Sequence, residues 1–513
     1  MAPRIAICGA GISGLSLAGM LSRRLGPASR IVVFERAKAD RDQGYGLDLD
    51  EHGQEALARA GVYDRFWEIA RPRSDTGMAF FRASAHGADI QPNIHLYQPR
   101  WAQRLFPQHM AARPECNREK LRDILLDAIR ERGNTSVHFE TATADCREVF
   151  ADGGGSSAEL FDREGRSLGE YDLVVDAMGL HSTLRHHVVD DPIGKHFEGL
   201  VMIHGSINDP EAVFSPELMA RFRDYGTSIV STKKADFFIQ RYGAGADDNR
   251  TSFFYTLYRE DGEDGLFADL GIDKPSSREG GIMRDSKRLA RVKSWVKQHM
   301  GDDFCPVWKE VVDHVDRMTV RNAVTHGPTK LRPPGTMPLI CIGDSLRNCG
   351  LGGGGMLAMQ DSIELCKVLL PDDGDTKAPA VFDPVTGRVA LAPLRGAVEE
   401  MLALKNEQAD EKRRRSEFKR IWNETGDGHV DITWDDFRQM QGLGPVKYWA
   451  MRLVLPWVQA LVRRSYAADR ARGEAGSTKE NAIIYKNVAD YLERGASPGL
   501  SAAPVGPCAG RSG

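Results

Sequence analysis

The chain has 513 residues, of which 41% are hydrophobic and 27% are charged, and its formal net charge at pH 7 is -4. This composition is that of a globular protein with more than one domain, and the negative charge argues against a general nucleic-acid-binding protein, which is normally basic. The sequence contains no run of 18 apolar residues, so no transmembrane helix is predicted. The N-terminus does not have the pattern of a secretory signal.

The cysteines do not predict a zinc site. There are 8 of them and none forms a C-x-x-C pair. Cys8, Cys341 and Cys366 lie in apolar stretches, where buried free thiols are expected. We therefore predict no metal site and a reducing, cytoplasmic setting.

A glycine-rich motif follows the first predicted strand. The first three predicted elements are a strand, a helix and a strand, at 4–8, 13–25 and 31–35. Gly9, Gly11 and Gly14 form a G-x-G-x-x-G motif between the first strand and the helix, which begins near Ser13. Glycine here permits a tight turn, lets the backbone approach a pyrophosphate and lets the helix pack on the strand. The sequence therefore predicts a dinucleotide site whose phosphates face the helix N-terminus.

Two charged residues at the end of the second strand are further candidate cofactor contacts. Glu35 follows the last glycine by about 20 residues, where a carboxylate can accept hydrogen bonds from ribose hydroxyls. Arg36 comes directly after it. The alternative is a glycine turn with an incidental surface glutamate. FAD and NAD share the same adenosine diphosphate half, so this motif alone does not distinguish them.

The rest of the chain changes character along its length. Further helices are predicted at 51–70, 117–132, 355–369, 393–422, 434–440, 445–470 and 478–494. Further strands are predicted at 136–140, 157–161, 171–177, 200–207, 227–231, 237–242, 251–258 and 339–342. The strands between 200 and 258 are separated by polar turns and indicate an antiparallel sheet that forms a layer of its own.

A second glycine turn lies late in the chain. The strand pattern at 339–342 ends at Gly343 and Asp344, and several glycines follow before a helix that begins near Gly355. Asp344 can accept hydrogen bonds from ligand hydroxyl groups, and the glycines allow close approach of the backbone to a ligand. The N-terminus of the helix favours negative charge.

With two such turns, the chain resembles the class A flavoprotein monooxygenases, which have the para-hydroxybenzoate hydroxylase fold. It looks closest to the tetracycline-inactivating flavin monooxygenases, and the resemblance covers residues 1–370. Asp48, in the stretch G-Y-G-L-D-L, matches a family residue that contacts FAD. Arg118 begins an R-x-x-L-x-x-x-L pattern whose arginine contacts the cofactor in the family, and Asp344 matches the residue that binds the ribityl chain.

The resemblance implies a cofactor set and a reaction. It implies non-covalently bound FAD, NADPH or NADH as a transient donor, and molecular oxygen. The expected enzyme is a monooxygenase of secondary metabolism that hydroxylates or epoxidises an aromatic or polycyclic small molecule through a flavin C4a-hydroperoxide. A flavin oxidase or reductase on the same fold, and a flavin-binding protein without turnover, remain alternatives.

The predicted fold class is α/β (α+β). A Rossmann-like FAD-binding domain would carry an inserted antiparallel-sheet substrate domain and be followed by a helical C-terminal region. The predicted segments are 1–198 and 331–370 for the FAD-binding domain, 199–330 for the sheet domain, 371–496 for the helical region and 497–513 for a disordered tail.

Two residues depart from the family's pattern. Met178 stands where the family usually has an aspartate that helps to bind the FAD pyrophosphate and, in many members, NADPH. Arg347 stands where the family usually has a histidine. We expect FAD binding to survive because the glycines and Asp344 remain, whereas flavin motion and NADPH docking are in doubt.

Candidate substrate contacts lie on the predicted antiparallel sheet. His204, Gln240, Tyr242 and Tyr255 are the polar candidates, and Phe238 and Phe254 are candidate stacking walls. The alternative for each is ordinary packing within the sheet. Arg41 aligns with an NADPH-contacting arginine of the family, and the alternative for it is a solvated loop charge.

The C-terminal segments carry no cofactor motif, so we expect them to be a structural addition. The charge run at 411–415 is typical of a solvated helix face. The segment 445–470 combines tryptophans, aliphatic residues and arginines, and its default interpretation is docking on the protein. A homodimer contact and peripheral membrane contact through this segment are the alternatives.

Overall fold

The computed structural model describes most of the chain, with gaps. The described residues are 3–25, 29–40, 46–70, 78–84, 94–97, 99–105, 113–151, 155–222, 227–232, 234–242, 250–274, 282–327, 329–350, 352–371, 381–382, 389–425, 457–458, 460–469, 471–472 and 486–495.

Strands and helices follow one another along the whole of the described chain. The strands are β1 Arg4–Cys8, β2 Arg30–Phe34, β3 Gly46–Asp48, β4 Met78–Phe81, β5 Ile94–Leu96, β6 Glu115–Asn117, β7 Thr135–His138, β8 Thr143–Ala151, β9 Gly155–Asp162, β10 Ser167–Tyr171, β11 Leu173–Asp176, β12 Val189–Asp190, β13 Lys195–Asn208, β14 Thr227–Ser231, β15 Ala235–Arg241, β16 Arg250–Tyr258, β17 Ile282–Met283, β18 Arg317–His326, β19 Lys330–Leu331 and β20 Leu339–Cys341. The helices are α1 Ile12–Arg24, α2 Glu51–Ala60, α3 Tyr63–Ile69, α4 Arg100–Leu105, α5 Arg118–Arg132, α6 Pro210–Val213, α7 Pro216–Phe222, α8 Gly262–Leu270, α9 Ser286–Met300, α10 Pro306–Asp313, α11 Gly354–Leu369, α12 Leu391–Thr425 and α13 Lys486–Gly495.

A five-stranded parallel sheet forms the centre of the first layer. Its order is β20, β11, β1, β2 and β7, and each neighbouring pair is parallel. Ile5 and Ile7 of β1 pack in one buried cluster with α1, α2, α5 and α11. The alternate residues Ala6 and Cys8 pack in another with Leu160 of the antiparallel sheet β8–β10. Both faces are covered, which explains why β1 is apolar at successive positions. The predicted α/β class is confirmed.

The local sequence explains where the neighbouring helices begin and end. Asp50 caps α2, because its side chain accepts the N–H groups of His52 and Gly53 at 3.1 Å each. Gly61 adopts a left-handed conformation and ends α2, so the single helix predicted at 51–70 is two helices, α2 and α3. Asn117 caps α5 by accepting the Glu119 N–H at 2.8 Å.

An eight-stranded sheet forms the second layer. Its order is β17, β18, β13, β16, β15, β14, β4 and β5. The four predicted strands between 200 and 258 correspond to β13, β14, β15 and β16. The sheet extends beyond the predicted boundaries of 199–330: β13 begins at Lys195, and β4 pairs in parallel with β14. The pairing of β4 and β5 with this sheet is non-local, so the sequence pattern around 78–96 did not indicate it.

Most of the described residues of the C-terminal region are helical, and Phe382 and Val389 form an isolated β-bridge. α12 overlaps the predicted helix at 393–422, whereas the helix predicted at 434–440 and the tail at 497–513 lie outside the described residues. Within the predicted segment 445–470, residues 457–458 and 460–469 are helical. Tyr466 packs against Tyr97 with ring centroids 5.0 Å apart, and the Tyr97 hydroxyl donates to Asp469 at 2.8 Å.

These contacts show that the described part of the segment docks on the protein. The dimer and membrane alternatives for 445–470 stay predictions. In the part of the chain that the structure describes, no helix is both long and apolar enough to cross a membrane. Seven cysteines, including Cys8, Cys341 and Cys366, are free and buried, as predicted for those three.

The last described helix sets a limit on truncation. Val488 of α13 is fully buried, Asn487 donates to Glu55 at 2.8 Å, and Arg59 lies over the Tyr491 ring at 4.6 Å. A chain that ends after residue 496 should therefore keep the stability of the full chain. A chain that ends after residue 485 should lose about 2 kcal/mol or more, since it exposes apolar surface of α2. Urea unfolding of both truncations tests this; a large loss in the longer one would contradict it.

Candidate cofactor and substrate site

A cavity of about 1110 Å³ lies between the parallel sheet and the eight-stranded sheet. Three parts of the chain form its walls: the first glycine turn with the end of β2, the second glycine turn with the start of α11, and one face of the eight-stranded sheet. The structure places eleven of the predicted cofactor and polar substrate residues on this wall: Gly9, Gly11, Ser13, Glu35, Arg36, Asp48, Arg118, His204, Gln240, Asp344 and Gly355.

The glycines of the first turn have different neighbours. A Cβ on Gly14 would lie 2.0 Å from the Gly9 carbonyl oxygen, and a Cβ on Gly9 would lie 2.5 Å from the Ala177 carbonyl oxygen. Gly9 also has a φ of +111°, which disfavours other residues. A Cβ on Gly11, in contrast, would meet no atom within 4 Å, so this position faces open space. Gly9 and Gly14 thus hold the turn together, and Gly11 leaves room for a ligand.

Two helices present their N-termini to the cavity. α1 begins after Gly11 and α11 begins after Gly353, and neither glycine can supply a capping side chain. The first turn of each helix contains no acidic residue. Each helix therefore offers free N–H groups and the positive end of its dipole to an anionic group in the cavity.

The Glu35 carboxylate is held by two backbone groups. Its Oε2 accepts the Ala10 N–H at 2.9 Å, and its Oε1 accepts the Ala37 N–H at 2.8 Å. Each oxygen keeps a second lone pair, so the carboxylate is fixed in place and still able to accept hydrogen bonds. Arg36 lies beside it on the wall, whereas Arg41 lies outside the described residues.

Asp344 lies on the wall between the second glycine turn and α5. Burial raises the pKa of its carboxyl group, although the charges of Lys405, Arg118 and Lys412 act in the opposite direction. A carboxylate in this setting gains from hydrogen-bond donors, because they offset the loss of hydration. Asp48, on the same wall, pairs with Arg113 at 2.9 Å.

Two buried aspartates that the sequence interpretation did not single out support the site. The Gly343 N–H donates to Asp361 of α11 at 2.7 Å, which fixes the turn that carries Asp344. Asp176, at the end of β11, accepts the Met178 N–H at 3.0 Å and a hydrogen bond from the Ser182 hydroxyl. Burial raises the pKa of each carboxyl group to about 6.

The two residues that depart from the family's pattern lie in different places. Met178 lines the cavity, and its sulfur accepts the Thr143 hydroxyl at 3.0 Å. Arg347 is 4% exposed and points away from the cavity, where it donates to the Asn406 side chain of α12. The arginine at position 347 therefore contacts α12 and does not form part of the cavity wall.

An aromatic row crosses the sheet face that lines the cavity. In register across four strands, His204 pairs with Phe254, Phe254 with Phe238 and Phe238 with Ile229. The rings of His204 and Phe254 lie 4.7 Å apart, and those of Phe254 and Phe238 lie 5.7 Å apart. Gln240 lies two residues along β15 and faces the same side. This wall suits a flat ring with polar substituents.

The structure does not place Tyr242 or Tyr255 on the cavity wall, which corrects the prediction that they contact substrate. Tyr255 follows Phe254, so it points to the opposite face of the sheet. There it is fully buried, and its hydroxyl lies 2.7 Å from Nδ1 of His299. Tyr242 is also fully buried and packs against the backbone of Gly46, since a Cβ on Gly46 would lie 2.3 Å from the Tyr242 Cβ.

Tyr255→Phe should therefore lower stability without changing the cavity. It removes the contact with His299 and leaves a half-buried ring nitrogen without this partner, which costs about 1 kcal/mol. Flavin content and the visible spectrum of the bound flavin should stay as in the wild type. A changed flavin spectrum at unchanged stability would place Tyr255 in the site after all.

Comparison with known families identifies the first part of the chain. Residues 3–236 match the model of the FAD binding domain. This segment is similar to that FAD binding domain. Its bounds include the first glycine turn, Glu35, Asp48 and Arg118, so the FAD prediction is confirmed at the level of the cofactor.

The similar proteins carry related names. FAD-dependent monooxygenase adaC from Aspergillus niger is 28% identical over 223 residues, which cover 42% of this chain and 48% of that protein. The match thus spans about half the length of that relative. HpxO from Klebsiella pneumoniae, solved with FAD and uric acid, superposes with a TM-score of 0.58 at 16% identity over 90% of this chain and 96% of that chain.

A third similar structure is 2,6-dihydroxypyridine-3-hydroxylase from Arthrobacter nicotinovorans, with a TM-score of 0.57, 15% identity, and coverage of 84% of this chain and 98% of that chain. At such identities the structures show the fold, and their coverage of this chain is larger than that of the FAD binding domain match. The predicted resemblance to the class A FAD-dependent monooxygenases is confirmed for the fold and for the FAD-binding domain.

Proposed function

We propose that this chain is an FAD-dependent monooxygenase that takes electrons from NADPH or NADH and transfers one oxygen atom of molecular oxygen to an aromatic or polycyclic small molecule. The observation that carries the proposal is the single cavity that joins both glycine turns to the aromatic row of the sheet. The name of the Aspergillus relative, an FAD-dependent monooxygenase, supports the same activity.

The residues of the cavity fit FAD. Gly11, Gly352 and Gly353 would each place a Cβ in open space, which leaves a backbone cradle along the wall. The N–H groups of α1 would bind the pyrophosphate, and Glu35 would accept hydrogen bonds from the ribose. Asp344 would accept hydrogen bonds from the ribityl hydroxyls. When bound and reduced, FAD supplies the activation of molecular oxygen.

The positive N-terminus of α11 has a role of its own. It lies at Gly353–Gly355, next to Asp344, where it favours a cofactor that gains negative charge on reduction. Arg118 adds a cation to the same wall. The chain thus supplies the electrostatic side of the reaction through backbone dipoles and fixed charges.

The substrate would lie against the aromatic row. Phe238 and Phe254 would stack on its ring system, and His204 and Gln240 would bind its polar substituents. Among the similar enzymes, HpxO was solved with uric acid and another is named for 2,6-dihydroxypyridine, and both compounds are flat heteroaromatic molecules. The sheet face, which forms one side of the cavity, would exclude water and hold the substrate for direct transfer.

The reducing cofactor would bind transiently. Both glycine turns are used by one FAD, so we place the nicotinamide donor at the mouth of the cavity, with Arg41 as a candidate contact. Stopped-flow absorbance tests the half-reactions. Bound flavin should be reduced by NADPH or NADH in the presence of substrate and reoxidised on mixing with oxygenated buffer. Flavin that neither donor reduces would favour a flavin-binding protein without turnover.

A further inference from the structure

A lysine of the C-terminal helix α12 reaches the second glycine turn. Lys405 is 1% exposed, and its Nζ lies 3.1 Å from Oδ2 of Asp361. The same carboxylate oxygen accepts the Gly343 N–H at 2.7 Å. Gly343 precedes Asp344 in the turn, so two contacts connect Lys405 to a residue on the cavity wall.

α12 holds the same loop at further points. The Lys412 ammonium donates to the Gly352 carbonyl oxygen, and the Cys349 thiol donates to the Lys405 carbonyl oxygen at 3.4 Å. α12 therefore contacts this loop directly at Cys349 and Gly352, and it reaches Gly343 indirectly, through Asp361 of α11. This helix lies outside the segment that matches the FAD binding domain.

Burial of the Lys405 ammonium group is energetically unfavourable, and a role in packing alone does not explain it. Removing an ammonium group from water is strongly unfavourable, and a buried ion pair is often no more stabilising than apolar side chains of similar volume. Leucine or methionine at position 405 would continue the apolar face of α12. A buried ion pair directly behind a cofactor loop is better explained by what it does to that loop.

We propose that Lys405 is a positioning residue of the FAD site, that it fixes the Gly343–Asp344 turn through Asp361, and that Lys412 fixes the far end of the same loop. α12 is then part of the cofactor site, and the expectation that the C-terminal region is only a structural addition does not hold for this helix. The inference rests on the proposed placement of FAD between the two glycine turns.

The charge of Lys405 has a second consequence. Lys405 and Lys412 both act on Asp344, where they oppose the effect of burial on its pKa. Their positive field therefore extends to the cavity wall. A cation whose field reaches the cofactor site would favour the reduced cofactor, which carries more negative charge, over the oxidised one. Removal of the Lys405 charge should make the reduction potential of bound FAD more negative.

The experiment compares the wild type with K405M, K412M and the double variant K405M/D361N. Lys367→Met is the matched control, because Lys367 is a lysine of α11 that pairs with Glu364 and Glu55, neither of which lines the cavity. Each apoprotein is titrated with FAD, its fold is checked by circular dichroism, and the midpoint potential of bound FAD is measured.

We expect K405M to bind FAD roughly tenfold more weakly, since loss of one partner leaves the Asp361 charge buried alone. Its bound FAD should have a more negative potential. K405M/D361N should recover much of the affinity for FAD. The side-chain oxygen of the asparagine can still accept the Gly343 N–H, and the double variant removes both charges of the buried ion pair, so neither is left alone. K412M should weaken binding severalfold, and K367M should bind as the wild type does.

Folded K405M with wild-type affinity and potential would overturn the proposal. If K405M does not fold, K412M with wild-type affinity would overturn it. An equal loss in K367M would also overturn it, since the effect would then be a general one of lysine removal. Wild-type protein that binds no FAD would overturn the proposed function itself, which separates the two failures.

Discussion

Gly11→Ala is expected to weaken FAD binding by about 1–3 kcal/mol, the usual cost of inserting a methyl group where a close contact is needed. The variant should fold normally, because a Cβ at Gly11 meets no protein atom within 4 Å. The backbone there, with φ -76° and ψ 179°, is also allowed for alanine. The added methyl group would project into the space that the proposed site gives to the pyrophosphate.

Titration of apoprotein with FAD measures this loss, and urea unfolding of the apoprotein measures stability. Gly335→Ala is the matched control, since its Cβ also meets no atom within 4 Å and Gly335 does not line the cavity. Gly14→Ala gives the opposite pattern: its Cβ would collide with the Gly9 carbonyl, so it should lower apoprotein stability as well. Gly11→Ala with unchanged FAD affinity would remove this turn from the site.

Asp344→Ala should weaken FAD binding by about 1.5–3 kcal/mol, the range for hydrogen bonds to a charged group. The effect on the apoprotein should have the other sign. Burial raises the folded-state pKa of Asp344 above its value in the unfolded chain, so the native apoprotein binds this proton more tightly. The contribution of Asp344 to stability is then greatest below the unfolded pKa and is lost as the pH rises through the folded one.

At pH 8 the apo form of Asp344→Ala should consequently be at least as stable as the wild type, while its FAD affinity is lower. FAD titration together with urea unfolding at pH 8 gives both quantities. Asp264→Ala is the control, because Asp264 is an exposed residue of α8 outside the cavity. Equal affinity in a folded Asp344→Ala variant would place the ribityl chain elsewhere.

The sequence was sufficient for the parts of the site that depend on local geometry. The order of strand, glycine turn and helix around Gly9 predicts the shape of that turn, because the turn is formed by residues adjacent in sequence. Glu35 and Asp344 could be predicted for the same reason, since each follows a short buried strand. In a parallel sheet such strand ends lie at one edge, which brings the two turns to one cavity.

The substrate wall shows what the sequence did not determine. β16 contains Phe253, Phe254 and Tyr255 in succession, and both faces of its sheet are covered. The alternation of polar and apolar residues that usually marks the two faces is therefore absent. Without it, the sequence could not assign Phe254 to the cavity and Tyr255 to the core.

Lys405 was missed for a different reason. The charged residues of α12 read as a solvated face, and a buried lysine is rare. The signal that could have found it is its spacing from Val398, Met401 and Leu402, which are buried on α12. Lys405 continues that apolar stripe at helical spacing, so a lysine there faces the core. What it contacts depends on Asp361, a partner that only the tertiary structure reveals.

The most direct measurement of the central claim is a turnover assay in isotopically labelled oxygen gas. Purified holoenzyme, NADPH and a library of flat aromatic and polycyclic compounds are incubated under the labelled gas, and products are scored by mass. The proposed monooxygenase should place one labelled oxygen atom in the product for each NADPH productively consumed. Product that forms without label would mean that the enzyme is an oxidase or a reductase on this fold, and would contradict the account.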